Sequence, residues 1–135
     1  MAVDAALAGR TFPPTEPYDV TAQAVADFAT ATGTPYQHGD PAPTTFPIVV
    51  AFAAMQGLMA DPEVGIELHH VVHGQQRFVT ERPITVGDRL TATLTVSSLR
   101  QVAGTDIIGT SSAITDASGA LVCTADATLV HRAGE

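Results

Sequence analysis

The sequence predicts an α+β fold in which an antiparallel sheet of about five strands wraps round one long buried helix. Three observations lead to it. The segment from Ile48 to Met59 is apolar on nearly every side of a helix, residues 89–98 alternate with period two, and turn signals separate the β-rich runs that follow. A length of 135 residues suits one domain, 1–135, large enough to bury most of the apolar surface its unfolded chain exposes.

After a first strand, "TAQAVADFATATG" (21–33) reads as a short helix. Thr21 can cap it, Val25, Phe28, Ala29 and Thr32 recur at helical spacing, and Gly33 can end it. "TPYQHGDPAP" follows as a loop fixed by Pro35, Pro41 and Pro43. In "TTFPIVVAFAAMQGLMADP", Thr44 or Thr45 can cap the next helix, Pro47 suits its first turn and Pro62 lies just past its end. From Ile48 to Met59 its only strongly polar side chain is Gln56, so it is expected to be buried on nearly every side.

The covering sheet comes next. "HGQQRFVTERPITVGDRL" (73–90) reads as a strand, an Arg-Pro break and a Gly-Asp turn into a second strand. In "RLTATLTVSS", Leu90, Ala92, Leu94 and Val96 share one face and Thr91, Thr93 and Thr95 the other. "AGTDIIGTSSAIT" (103–115) alternates less cleanly and is read as a strand from its place between turns. "DASG" (116–119) is a turn, and beyond it Leu121, Cys123, Ala125, Ala127 and Leu129 line one face. The small Ala125 and Ala127 let a helix lie close. The sum is a strand, a short helix, a buried helix and about four antiparallel strands of meander type, the hot-dog arrangement. Such a sheet leaves an edge strand open, a liability usually removed by pairing with a second subunit.

Composition excludes several classes. Six arginines, no lysine and fourteen acids give a formal charge of -8, which argues against nucleic acid and leaves no broad basic face for docking an acidic carrier protein. Cys123 is alone, which rules out an internal disulfide and suits a reducing cytoplasm. The first residues carry an early acid and no basic region, unlike a secretory signal, and the longest apolar run is too short and interrupted for a membrane span.

Four segments occur in an order that carries a resemblance: "PAPTTF", "VHGQQRFVTERPITVGDRL", "VSSLRQVAGTDIIGTSSAITDASGALV" and "ATLVHR". Together they resemble the MaoC-like dehydratase N-terminal domain family, and more closely the A- and C-type subunits of the actinobacterial (3R)-hydroxyacyl-ACP dehydratase, over roughly residues 8–133. The resemblance implies a split enzyme. This kind of subunit contributes acyl-chain binding surface, while a partner hot-dog subunit carries the Asp and His that move protons. Here Thr34 follows Gly33 where the catalytic motif has Asp, and no Asn-Pro-x-His follows it. The expected catalytic residues of this chain are therefore none, with His38 and Asp40 as fallback candidates. The expected substrate is an acyl-ACP or acyl-CoA, and the expected assembly is a heterodimer with a catalytic hot-dog subunit, or a homodimer. No cofactor is expected.

Each candidate has a plainer reading beside it. His38-Gly39-Asp40 places an imidazole and a carboxylate in one loop, or is a turn with solvated polar residues. Asp126 and His131 have a catalytic-looking spacing but lie on opposite faces of a strand, about 16 Å apart. In "LHHVVHG", His69 and His73 on a strand lie about 13 Å apart, too far for one metal ion, so no metal site is expected. His73, Gly74 and Gln76 border the substrate channel, where Gln76 can hold a substrate carbonyl or satisfy buried backbone, and Phe78 on its face reads as core. At the start of the buried helix, Thr45 and the N–H groups around Phe46 and Ile48 offer polar contacts to a thioester oxygen. Phe52, Met55 and Met59 form a groove for an acyl tail, or simply pack. Two alternatives stay open: a self-sufficient hot-dog thioesterase using Gln56, and a non-catalytic acyl-binding homodimer.

Overall fold

A computed structural model describes Val3 and residues 5–132. The N-terminal segment runs along the sheet before any long element begins. The N–H groups of Gly9, Phe12 and Thr15 donate to the carbonyls of Val96, Leu94 and Ala92, and β1 (Tyr18–Asp19) then pairs with Leu90 and Arg89. One margin of the sheet is thereby occupied.

Helix α1 (Ala22–Thr32) starts and stops as its sequence dictates. The Thr21 hydroxyl accepts the Ala24 N–H at 3.1 Å, and Gly33 ends the helix at φ 68°, a conformation that costs a residue without Cβ little. Val25 and Ala29 face the core, while Phe28 meets the buried Phe46 edge-on with ring centroids 5.3 Å apart.

Helix α2 (Ile48–Ala60) departs from expectation twice. No threonine caps it: Pro47 is the cap residue, and Thr44 and Thr45 lie in a preceding turn closed by bonds from Phe46 N–H to the Pro43 carbonyl and from Ile48 N–H to the Thr45 carbonyl. That turn pre-winds the helix, so side-chain capping is not needed. The second departure concerns burial. Val50, Ala51, Ala54, Met55 and Leu58 are buried, but Phe52 is 43% exposed and Ala53, Gln56 and Gly57 also face outward. A helix apolar all round is covered on one side only, which leaves apolar surface for something else to cover.

The sheet order is β1-β3-β4-β5-β2, wholly antiparallel, with β2 (Val71–Thr80), β3 (Arg89–Val102), β4 (Thr105–Thr115) and β5 (Leu121–Arg132). Strands β3 to β5 form a meander, but β2 pairs with β5 rather than β3, which corrects the expected four-strand meander. The connection 81–88 is too long for a tight hairpin and carries the chain from one edge strand to the other side of the sheet. Leu90, Ala92, Leu94 and Val96 are fully buried against α2, as the alternation predicts. Strand β3 continues past a bulge near Ser97 to Val102, and β4 begins at Thr105 rather than 103, because Ala103 and Gly104 take φ 50° and 81° in the turn between them. No described helix is long and apolar enough to cross a membrane.

Candidate functional site

Two of the four segments that carry the resemblance meet at the N-terminal end of α2. The Ala42 N–H donates to the Ile84 carbonyl at 2.7 Å, joining "PAPTTF" to "RPI". Between them lies a mainly apolar hollow of about 400 Å³ walled by prolines 41, 43, 47 and 83. Its floor is held by Arg82, which donates to both carboxylate oxygens of Asp88, at 2.9 and 3.2 Å, and to Asp116 at 3.1 Å. Those bonds raise the Arg82 pKa further. Burial pushes Asp88 up, but the Arg82 guanidinium and the Thr85 N–H outweigh it and the carboxyl sits below its usual range. Asp116 is lowered to about 2 by the Ser118 hydroxyl, then by Arg82 and the N–H groups of its own turn. The arginine and aspartate of "RPITVGD" thus close a turn; they are architecture before they are chemistry.

A bulge sets the polar pair on the edge strand. His73 faces Leu129 and Gln75 faces Thr128, so Gly74 is the extra residue. This shifts parity and puts His73 on the same inner face as Gln76, which opposes Ala127. Their side chains bond, Nε2 to Oε1 at 2.9 Å. Simple alternation separates the two, and the signal that could have joined them is the glycine inside a strand pattern. Gln75 instead turns outward with Arg77 and Asp126. Phe78 is half-buried against the core.

On α2, Phe52, Gln56, Met59 and Ala60 border a groove of about 310 Å³. Met55 does not join them, being 1% exposed within the core, and Phe46 is 0% exposed between Tyr18 and Phe28. Thr45 is exposed. The N–H groups of Phe46 and Ile48, expected to be free, are already bonded to backbone carbonyls, as are those of Val49 and Val50. The helix start therefore offers less to an anion than its position suggests. His38 and Asp40 lie exposed in a turn with Gly39 at φ 98°, and the Asp40 carboxylate accepts the Gln37 N–H at 2.9 Å. The two make no ion pair with each other among the described contacts.

The sequence reading missed one buried pair. His131 and Asp106 face each other across β4 and β5, Nδ1 to Oδ2 at 2.9 Å, with side chains 0% and 2% exposed. A backbone N–H can only donate, so the Glu67 N–H bonded to Nε2 at 3.0 Å places the ring proton on Nδ1, directed at Asp106. Both ring nitrogens are committed. Burial pushes the Asp106 carboxyl up, but His131, Gln101 and the Val3 N–H more than offset it and the net shift is downward. Asp126, by contrast, lies half-buried on the outer face, so the Asp126–His131 spacing joins nothing. The parity of β5, which puts His131 on the side of Leu129, is the signal that could have found the buried imidazole.

His69 and His70 also fall elsewhere than expected. Leu68–His70 is a 3₁₀ turn and β2 begins only at Val71, so His69 is not on the strand with His73. The turn brings Glu67, His69 and His70 together.

A curled antiparallel sheet on one helix, with a proline-walled hollow at the start of that helix, defines a hot-dog domain. Residues 6–125 match the model of the "FAS1-like, dehydratase domain region", and the chain belongs to that family of MaoC-like hot-dog domains. Among its relatives are a UPF0336 protein of Leifsonia xyli subsp. xyli, 42% identical over 98% of both chains, and one of Streptomyces avermitilis, 38% identical over 100% of this chain and 99% of that protein. Among solved structures, the C-terminally truncated HadBC (3R-hydroxyacyl-ACP dehydratase) complex of Mycobacterium tuberculosis has a chain that superposes with a TM-score of 0.76 and 26% identity, covering 92% of this chain and 96% of that one.

Proposed function

We propose that this chain is a subunit of a cytoplasmic (3R)-3-hydroxyacyl-thioester dehydratase, acting on an acyl-ACP or acyl-CoA. It contributes acyl-chain binding and half of a dimer interface. A partner hot-dog subunit supplies the Asp and His that take the α-proton and protonate the departing β-hydroxyl, leaving a trans-2-enoyl thioester and water. The observation that carries this reading is an apolar helix with an uncovered face, Phe52 foremost, in a chain whose buried imidazole–carboxylate pair, His131–Asp106, has both ring nitrogens already committed to the fold. His73 has an amide for a partner, and the Asp40 carboxylate is spent on its own turn. Phe52 and Met59 would line the acyl tail, Thr45 would lie near the start of α2 and His73, Gly74 and Gln76 would border the channel farther along β2, while Phe46 and Met55 stiffen the wall from behind.

The test is turnover of a 3-hydroxyacyl thioester by this chain alone and by this chain co-expressed with a hot-dog protein that carries the Asp and His. Activity only in the pair is expected; equal turnover by the chain alone overturns the split-enzyme reading. Gln56 in the α2 groove favours one competitor, a thioesterase. Thiol release from an acyl-CoA that Gln56→Ala abolishes would select it.

A further inference from the structure

We infer that Glu67, His69 and His70 form a binding site for a zinc-class divalent cation at the root of the edge strand β2. One carboxylate oxygen and two imidazole nitrogens have their donor atoms within 4.8 Å of one another. Zn–N bonds near 2.05 Å place neighbouring tetrahedral ligands about 3.3 Å apart. Glu67 Oε2 and His70 Nδ1 already stand 3.2 Å apart. His69 is exposed, so a rotamer change closes the remaining distance without moving backbone. Two imidazoles and a carboxylate suit zinc and neighbouring transition metals better than magnesium or calcium, which prefer all-oxygen shells.

Three further features fit. The Nδ1 atom of His70 is shielded from solvent, yet it meets Glu67 in a geometry that makes no hydrogen bond, so its lone pair has no protein donor among the described residues. The turn is rigidly seated: the His70 N–H donates to the Glu67 carbonyl at 2.8 Å, and the Glu67 N–H is tied to the buried His131–Asp106 pair. A ligand set on a fixed base loses little entropy on binding. Finally, both histidines border a cleft of about 410 Å³ with Thr105 and Arg132 at its rim, through which water or an anion can complete the shell. The expectation of no metal rested on placing His69 along a strand with His73, and the 3₁₀ turn removes that premise. A cation here would clip the turn that feeds the free edge.

The experiment is calorimetric titration of the untagged full chain with Zn(II), in a buffer that does not chelate it, alongside thermal unfolding. One equivalent is expected to bind. His69→Ala and Glu67→Gln should each weaken it at least tenfold, and zinc should raise the unfolding temperature of the wild type but not of His69→Ala. His38→Ala should leave the affinity unchanged. Because His69 is exposed, its variant folds even if His70→Ala does not. Absence of stoichiometric binding, equal affinity in His69→Ala, or a loss that His38→Ala reproduces overturns the site. Dehydratase turnover is read in none of these arms, so their outcome is separate from that of the split-enzyme proposal.

Discussion

His131 Nδ1 lies 2.9 Å from Asp106 Oδ2 inside the sheet, and the Nε2 of the same ring accepts the Glu67 N–H at 3.0 Å. One imidazole therefore ties β5 to β4 and both to the segment that follows α2. This is the pair that chemistry would nominate first, and its closure argues for a structural task.

Removing one partner strands the other. His131→Ala leaves a desolvated carboxylate without its main donor, so a loss of about 3–5 kcal/mol is expected in urea unfolding. Replacing both residues with leucine should recover a large part of that loss, because the charge goes with its partner. If His131→Ala unfolds at the wild-type urea midpoint, the tie is not what holds these elements.

Acid should act through the lowered carboxyls. Asp88, Asp106 and Asp116 all have folded pKa values below their usual range, so each contributes stability above its unfolded value near about 4 and loses it as pH falls through its folded value. The urea midpoint should accordingly hold from neutrality to roughly pH 5 as far as these groups are concerned, and then drop. The Asp116 contribution should persist to about pH 2, so Asp116→Asn should flatten the lowest part of the curve.

Arg82 closes the β2–β3 connection by meeting Asp88 with two nitrogens and Asp116 with one of them. A lysine cannot reproduce that fork. Arg82→Lys should cost roughly 1–2 kcal/mol, less than a buried pair because the guanidinium side chain is 37% exposed and screened by water. A cost indistinguishable from zero would mean that the turn holds itself.

Phe52 separates stability from assembly. It is 43% exposed, so Phe52→Glu should change the stability of the isolated chain by no more than about 0.5 kcal/mol. The proposed catalytic hot-dog partner would close over the acyl tail on this face, so co-purification with it should be lost. Retained association would move the interface off this face of α2.

At α1 a local rule was a sufficient guide, although the same rule failed at α2, where Pro47 and not a threonine is the cap residue. Thr21 and Gly33 bound α1 because a cap depends only on its own turn. Strand β4 was less legible. Its burial alternates strictly, but Asp106, Thr110 and Ser112 are among the inward residues, and polar side chains in inward positions hide the period. The His73–Gln76 pair was hidden by the bulge at Gly74, and the Glu67–His69–His70 cluster by a 3₁₀ turn where β-branched valines suggested strand.

The sequence by itself determined the class of fold, the apolar rod, the open edge and the absence of a recognisable Asp/His motif in the expected loop, because hydrophobic period and turn chemistry are written residue by residue. Only the tertiary structure decided that β2 pairs with β5, that α2 keeps one face uncovered, and that His131 is locked by Asp106 and Glu67. Those facts depend on which distant segments share a face and how many donors reach one atom, and spacing along the chain does not encode either.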